Sequence, residues 1–337
     1  HVTEGRMGWN CVTGSNDGAA QNYGRDKQFP HDERYDIADE FADLVTRLWE
    51  AWEPDAVVLD RDAPMFADGA KVHPIHHEGK YFRCRGPINA PRSPQGRVPI
   101  CQAGGSPRGQ LFASRWADTI ITEGGGGVEK MKEYRANIRR QAAEFGRNPD
   151  DIKVLFLAQP VIDISMEAAR ERVRMNEAEM DQHIDLHLSG MSRLTGIDFS
   201  KFDLDAPLPE LTTNGHQSSL AKWIGKTPRS IVKTYGRKGG IDFSGTADHV
   251  AGMMQEVMEG SSIVFKDGLS LVMVIPVNML RPFCVCLAFG VFSDSWGSFA
   301  SETAKRKQAA YFFCDFIWNF QMFHKCIELI QKCPYLF

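Results

Sequence analysis

The 337-residue chain contains no G-x-G-x-x-G and no Walker sequence, so it offers no fingerprint for a nicotinamide dinucleotide or for ATP. It also lacks an excess of positive charge. Its 39 Lys and Arg stand against 43 Asp and Glu, a formal net charge of -4. That leaves no broad basic surface for a nucleic acid or an anionic membrane, and a small-molecule role is expected instead. The apolar run Leu269 to Ile275 is too short to span a bilayer. His1 to Asn10 carry Glu4 and Arg6 and no apolar stretch, so no secretory signal is expected there. The 8 cysteines form no spaced framework. Five of them (Cys284, Cys286, Cys314, Cys326 and Cys333) crowd into the last stretch, and Cys284-Val285-Cys286 lacks the two-residue gap of redox or zinc motifs. A reducing, cytoplasmic setting follows as the expectation.

What is present is the composition of an ordinary globular protein, 43% hydrophobic and 24% charged. Ile37, Phe41, Leu44, Val45, Leu48 and Trp52 recur at helical spacing, which predicts a helix over Asp36 to Trp52. From about Asp60 to Gly96 the chain is polar and rich in Pro and Gly. So long a stretch without periodicity predicts an excursion from the repeat, read as a lid near the carboxyl ends of the strands. Beyond it, apolar runs ending at Ala103, Thr122 and Ala158 alternate with helical patterns beginning near Leu111, Glu129 and Glu167. Strands and helices alternating in this way predict an α/β fold with a parallel sheet, either a barrel or an open doubly wound sheet. From Leu186 to Gly240 the pattern weakens into loops and one helical piece, and Thr246 to Met258 is again an amphipathic helix. A degraded fifth strand is expected around Ile263.

The turn Gly104-Gly105-Ser106-Pro107 has the clearest chemical logic. Two glycines let a ligand approach the backbone, Ser106 can cap a helix, and Pro107 suits its first position. Such a helix start presents free N–H groups and the positive end of a dipole to a phosphate. A capped βα turn with no ligand explains the same residues. At Gly14-Ser15-Asn16-Asp17-Gly18, polar residues follow an apparent strand from Gly8 to Thr13, and in a barrel that position lines the active face. A loop of turn formers is the plainer reading. His31-Asp32-Glu33-Arg34-Tyr35 reads as a charged helix entry. No metal site is expected: His73, His76 and His77 lack spaced Cys or carboxylate partners, and His183 and His187 lack the Glu of a zincin.

Several segments occur together and in order: Gly5 to Thr13, Asn22-Tyr23-Gly24, His31 to Tyr35, Leu48-Trp49-Glu50, Val72 to Phe82, Arg92 to Gly96 and Gln102 to Ser106. In this order and spacing the chain, from His1 to about Glu259, resembles the flavin monooxygenases of the bacterial-luciferase superfamily. The resemblance is to the group that contains the nitrilotriacetate, dibenzothiophene-sulfone, long-chain-alkane and dimethyl-sulfide monooxygenases. It implies a (β/α)8 TIM barrel of which about strands 4 to 8 are represented, over residues 1–260, with the loop insertion at about 60–96 and a divergent tail at 261–337. It also implies reduced FMN, made by a separate NAD(P)H-dependent flavin reductase, and insertion of one oxygen of O2 into a small organosulfur, amine or alkane substrate. By resemblance the FMN contacts fall on Thr13, Gly14, Ser15, Tyr35, Ala103, Gly104, Gly105 and Ser106, and Asn10 faces the isoalloxazine as the catalytic candidate. Several relatives carry Ser-His in place of Gly14-Ser15. About three βα units, near a hundred residues, are expected upstream of Gly5 from the size of such units. The tail looks like sequence from a shifted reading frame or an unspliced segment. The chain alone is therefore expected to give no turnover, and a homo-oligomer is left open. Two alternatives stand beside this reading: a non-catalytic flavin-binding remnant, and an oxidoreductase of the same superfamily using flavin or coenzyme F420.

Overall fold

The computed structural model describes residues 3–123, 126–235, 241–260 and 270–273. The chain opens with β1 (Trp9–Asn10), α1 (Asp17–Gln21) and α2 (His31–Glu50), then four short strands, β2 (Val57–Asp60), β3 (Met65–Ala67), β4 (His77–Glu78) and β5 (Arg83–Cys84). It continues through β6 (Ile100–Gln102), α3 (Pro107–Trp116), β7 (Thr119–Thr122), α4 (Val128–Glu144), β8 (Lys153–Ala158) and β9 (Val161–Ile162). Helices α5 (Met166–Gln182), α6 (Ile184–Thr195), α7 (Gln217–Trp223) and α8 (Pro228–Tyr235) follow, then β10 (Ser244–Gly245), α9 (Ala247–Gly260) and β11 (Ser270–Met273).

Five of these strands make one sheet in the order β1-β6-β7-β8-β11, and every neighbouring pair is parallel. Side chains alternate across a strand, and the two faces differ in kind. Ile120, Val154, Phe156 and Ala158 point to the helices and join Ala113, Met131, Ile138, Val250 and Val257 in one buried cluster. Each large apolar side chain buried there contributes roughly 1.5–3 kcal/mol. The register pairs Asn10 with Cys101, Cys101 with Thr119, and Ile121 with Leu155, so these residues share the opposite face. The fifth strand expected around Ile263 lies outside the described residues; the strand that joins β8 is Ser270–Met273.

Helix α2 begins earlier than the apolar stripe predicts, at His31, because Pro30 ends the preceding loop and Asp32 and Glu33 favour the first turn. Its buried side includes Tyr35, Ala38, Ala42 and Leu44. The stretch between α2 and β6 stands outside the main sheet as two antiparallel hairpins, β2–β3 and β4–β5. Its contacts fasten it to α2 and β1. Glu40 accepts the backbone N–H groups of Tyr81 (2.9 Å) and Phe82 (2.7 Å). The Arg47 guanidinium meets His77 (3.2 Å) and the Ile75 carbonyl (2.5 Å). Gln95 bonds both the N–H and the carbonyl of Met7. The stretch therefore packs along α2 and at the entry to β1. Sequence shows that a segment leaves the repeat, not which carboxylate and arginine of the neighbouring helix catch it.

Where loops with one helical piece are expected from Leu186 to Gly240, the described residues form the three helices α6 to α8 with a core of their own: Leu188, Met191, Phe199, Leu208, Leu220, Trp223, Ile231 and Val232. Their helices are short, so each apolar stripe spans too few turns to register as a period.

Candidate functional site

Helix α3 starts as the Gly-Gly-Ser-Pro turn predicts. Ser106 is the N-cap, in an extended conformation, and its hydroxyl accepts the Gly109 N–H at 3.1 Å. Pro107 occupies the first helical position, where a missing N–H costs nothing. Ser106 is 5% exposed, at the base of the turn rather than on its rim. Gly104 cannot carry a side chain: a Cβ there would stand 2.8 Å from the Gly109 carbonyl and 2.9 Å from Gln102 Oε1. The Gly104 carbonyl is fixed by the Tyr134 hydroxyl at 2.8 Å, and burial raises the pKa of that phenol. The turn is thus held from behind, and Ala103 and Gly105 stay exposed at its front.

Tyr35, in the second turn of α2, arrives at the same place. It is 7% exposed, packs on Phe112 at 5.8 Å between ring centroids, and puts its hydroxyl 2.7 Å from where a Gly109 Cβ would be. Gly109 is therefore the close approach of α2, α3 and the turn. Reading the sequence overlooked it, since a glycine inside a helical pattern carries no local signal of what crosses it. That hydroxyl makes no hydrogen bond to another described residue. Arg108 lies beside it, but its charge is matched by Asp36 (2.9 Å) and Asp39 (2.5 Å). Arg34 is different. It is 4% exposed and has no carboxylate partner, bonding only the Phe29 carbonyl (2.8 Å) and Asn214 (2.9 Å to the carbonyl). Burial lowers its pKa, opposed by Tyr35 and Asp32.

The third predicted cluster follows β1. Gly14 has φ 67°, the left-handed region that favours glycine, and Asn16 caps α1 through the Ala19 N–H at 2.8 Å. Thr13 and Ser15 are half-buried, and no hydrogen bond joins residues 13–15 to residues 103–106. Asn10 ends β1, exposed on the face away from the helices and in register with Cys101. Its neighbour Cys11 points the other way, into the cluster of Tyr35, Ile100 and Phe112. Burial, aided by Asp39, pushes that thiol up to about 11, so it is no nucleophile at neutral pH.

A fourth element overhangs the turn, unforeseen from sequence. Ser218, at the start of α7, places its hydroxyl oxygen 2.8 Å from where a Gly105 Cβ would be. Lys222 of the same helix pairs with Glu123, just past β7, at 3.2 Å. Arg34 holds Asn214, and the Thr213 hydroxyl donates to the Thr195 carbonyl. Burial lowers the pKa of His216, helped by Arg193 and Arg34. The glycine turn, the starts of α2 and α3, and α7 thus meet at the carboxyl end of β6.

This arrangement has relatives. The luciferase-like monooxygenase family matches residues 1–260. The chain belongs to that family. It is 36% identical over 273 residues to a dibenzothiophene-sulfone monooxygenase of Rhodococcus erythropolis, covering 77% of this chain and 60% of that protein. It is 40% identical over 250 residues to a dimethyl-sulfide monooxygenase of Hyphomicrobium sulfonivorans, covering 69% and 49%. Among solved structures it is similar to a riboflavin lyase with modified FMN and riboflavin, with TM-score 0.71, 36% identity, and coverage of 82% of this chain and 61% of that one. The chain thus spans about 60% of the length of the first of these relatives. A luciferase-like TIM-barrel fold explains the parallel sheet with helices on one face.

Within the luciferase-like family frame, the histidines noted in the sequence hold the excursion in place. His73 pairs with Glu53 at 2.7 Å and His77 with Glu40 at 3.2 Å. Among the described residues no group of three or more His, Cys, Asp or Glu could hold a metal, and no helix is long and apolar enough to cross a membrane.

Proposed function

We propose that this chain serves a flavin-dependent monooxygenase reaction, binding reduced FMN by its phosphate at the α3 start and oxidising a small organosulfur, amine or alkane substrate. The observation that carries the reading is the cradle at Gly104–Ser106. A Cβ at Gly104 would collide with the backbone of Gly109, a Cβ at Gly105 would collide with Ser218, and the Tyr35 hydroxyl beside them makes no hydrogen bond to another described residue. These residues fit a phosphate monoester: a helix start offers N–H groups and a dipole, and a free hydroxyl adds a donor.

In this reading the backbone of Ala103 to Ser106 and the Tyr35 hydroxyl hold the phosphate, and Thr13, Gly14 and Ser15 hold the ribityl chain. Asn10 presents its amide toward the ring system from the open face of the sheet. Bound reduced FMN supplies the activation of O2, and the protein supplies orientation and exclusion of water. With no nicotinamide fingerprint in the chain, reduction falls to a separate NAD(P)H-dependent reductase. A cytoplasmic enzyme of two components follows. The organosulfur class is favoured by the names of the sulfone and sulfide relatives.

The test is flavin titration by fluorescence. Gly105→Leu is expected to weaken FMN binding by roughly a hundredfold, since the side chain fills the cradle and displaces about two hydrogen bonds to a charged group. Unchanged affinity removes the phosphate from this turn.

A further inference from the structure

We propose that the Ser218 hydroxyl is a direct ligand of the flavin phosphate, so that α7 roofs the cradle; the inference rests on the flavin reading above. Ser218 lies more than a hundred positions from the glycine turn in sequence. Yet its Oγ and Cβ stand 2.8 and 3.1 Å from where a Gly105 Cβ would be. The hydroxyl makes no hydrogen bond to any described residue and is half-buried against the turn. Its position is set from several directions. Asn214, four residues earlier, is gripped by the buried Arg34, Thr213 donates to Thr195, and Lys222 pairs with Glu123. A hydroxyl carried this close to a glycine backbone, and left without a partner, is poised to donate to whatever the glycine makes room for.

Charge supports the same assignment. Arg108 pairs with Asp36 and Asp39 through one end of its guanidinium, leaving its other terminal nitrogen without a partner among the described residues, and Lys222 pairs with Glu123, so a phosphate at the turn draws chiefly on backbone N–H groups and hydroxyls. Two hydroxyls there, Tyr35 near Gly109 and Ser218 near Gly105, make no hydrogen bond to another described residue. Arg34, buried with no carboxylate in ion-pair contact and with Nε unpartnered, adds a positive charge behind the roof. Charge-assisted hydrogen bonds of this kind are the stronger ones.

The experiment compares FMN with riboflavin, which has no phosphate, by fluorescence titration of the full chain and its Ser218→Ala and Ser218→Thr variants. Alanine is the better helix former, so α7 is expected to persist. The expected result is roughly a tenfold loss of FMN affinity in Ser218→Ala, unchanged riboflavin affinity, and recovery in Ser218→Thr. Equal weakening of both flavins makes Ser218 a packing residue and overturns the proposal, as does no change in either. If the unaltered chain itself does not prefer FMN to riboflavin, the phosphate reading falls and Ser218 falls with it.

Discussion

Tyr35 does two separable jobs in one side chain. Its ring fills the space between α2 and Phe112, and its hydroxyl reaches the α3 start without a hydrogen-bond partner among the described residues. Tyr35→Phe keeps the first and deletes the second. Its stability is expected to stay within about 1 kcal/mol of the parent, while FMN affinity falls roughly ten- to a hundredfold, the loss of one hydrogen bond to a charged group. Chemical denaturation and flavin titration on the same sample check both. A large fall in stability with no change in binding makes the hydroxyl structural. At this scale sequence was informative where chemistry is local. Ser106 caps and Pro107 starts α3 as their types require. It was silent where a residue acts across the fold: Gly109 and Ser218 matter for what approaches them, and Arg34 looked like one more charge in a helix entry while it is buried.

Among the elements, the junction of α2 with the β4–β5 hairpin shows how one carboxylate can fasten an excursion. Burial would raise the pKa of Glu40, but the Tyr81 and Phe82 N–H groups and His77 together hold it below the usual carboxylate range. A depressed folded pKa stabilises above the unfolded value, about 4.3 for Glu, and that contribution is lost as pH falls through the folded value. Hydrogen-exchange protection of the Tyr81 and Phe82 amides is therefore expected to drop on acidification below about pH 4.3 in the parent. In Glu40→Gln the drop through this window should disappear. An identical acid profile in both proteins detaches the clamp from Glu40. Helix α2 and the βα alternation were legible because their apolar periods run over many turns. The placement of the hairpins was not, since it depends on Glu40 and Arg47 meeting backbone groups some 28 to 42 residues away.

For the molecule as a whole, one parallel sheet carries helices on one face and places Asn10, Cys101 and Ile121 on the other, while Val12, just past β1, is 62% exposed. The sheet's parallel pairing was readable from alternation, and the choice of a barrel over an open sheet came from the ordered motifs around Asn10, Tyr35 and Ser106. The helical unit of α6 to α8 could not be placed from sequence, although it covers the turn through Ser218 and Lys222. If the turn is a phosphate cradle, sheet, helix start and roof converge on one ligand atom group. A crystal structure of the chain soaked with FMN tests this most directly. The expected result is phosphate density at the start of α3, within hydrogen-bond distance of the backbone N–H groups of Gly105 and Ser106 and of the Tyr35 hydroxyl. An ordered flavin whose phosphate lies elsewhere, or a turn left without ligand at saturating FMN, would contradict it.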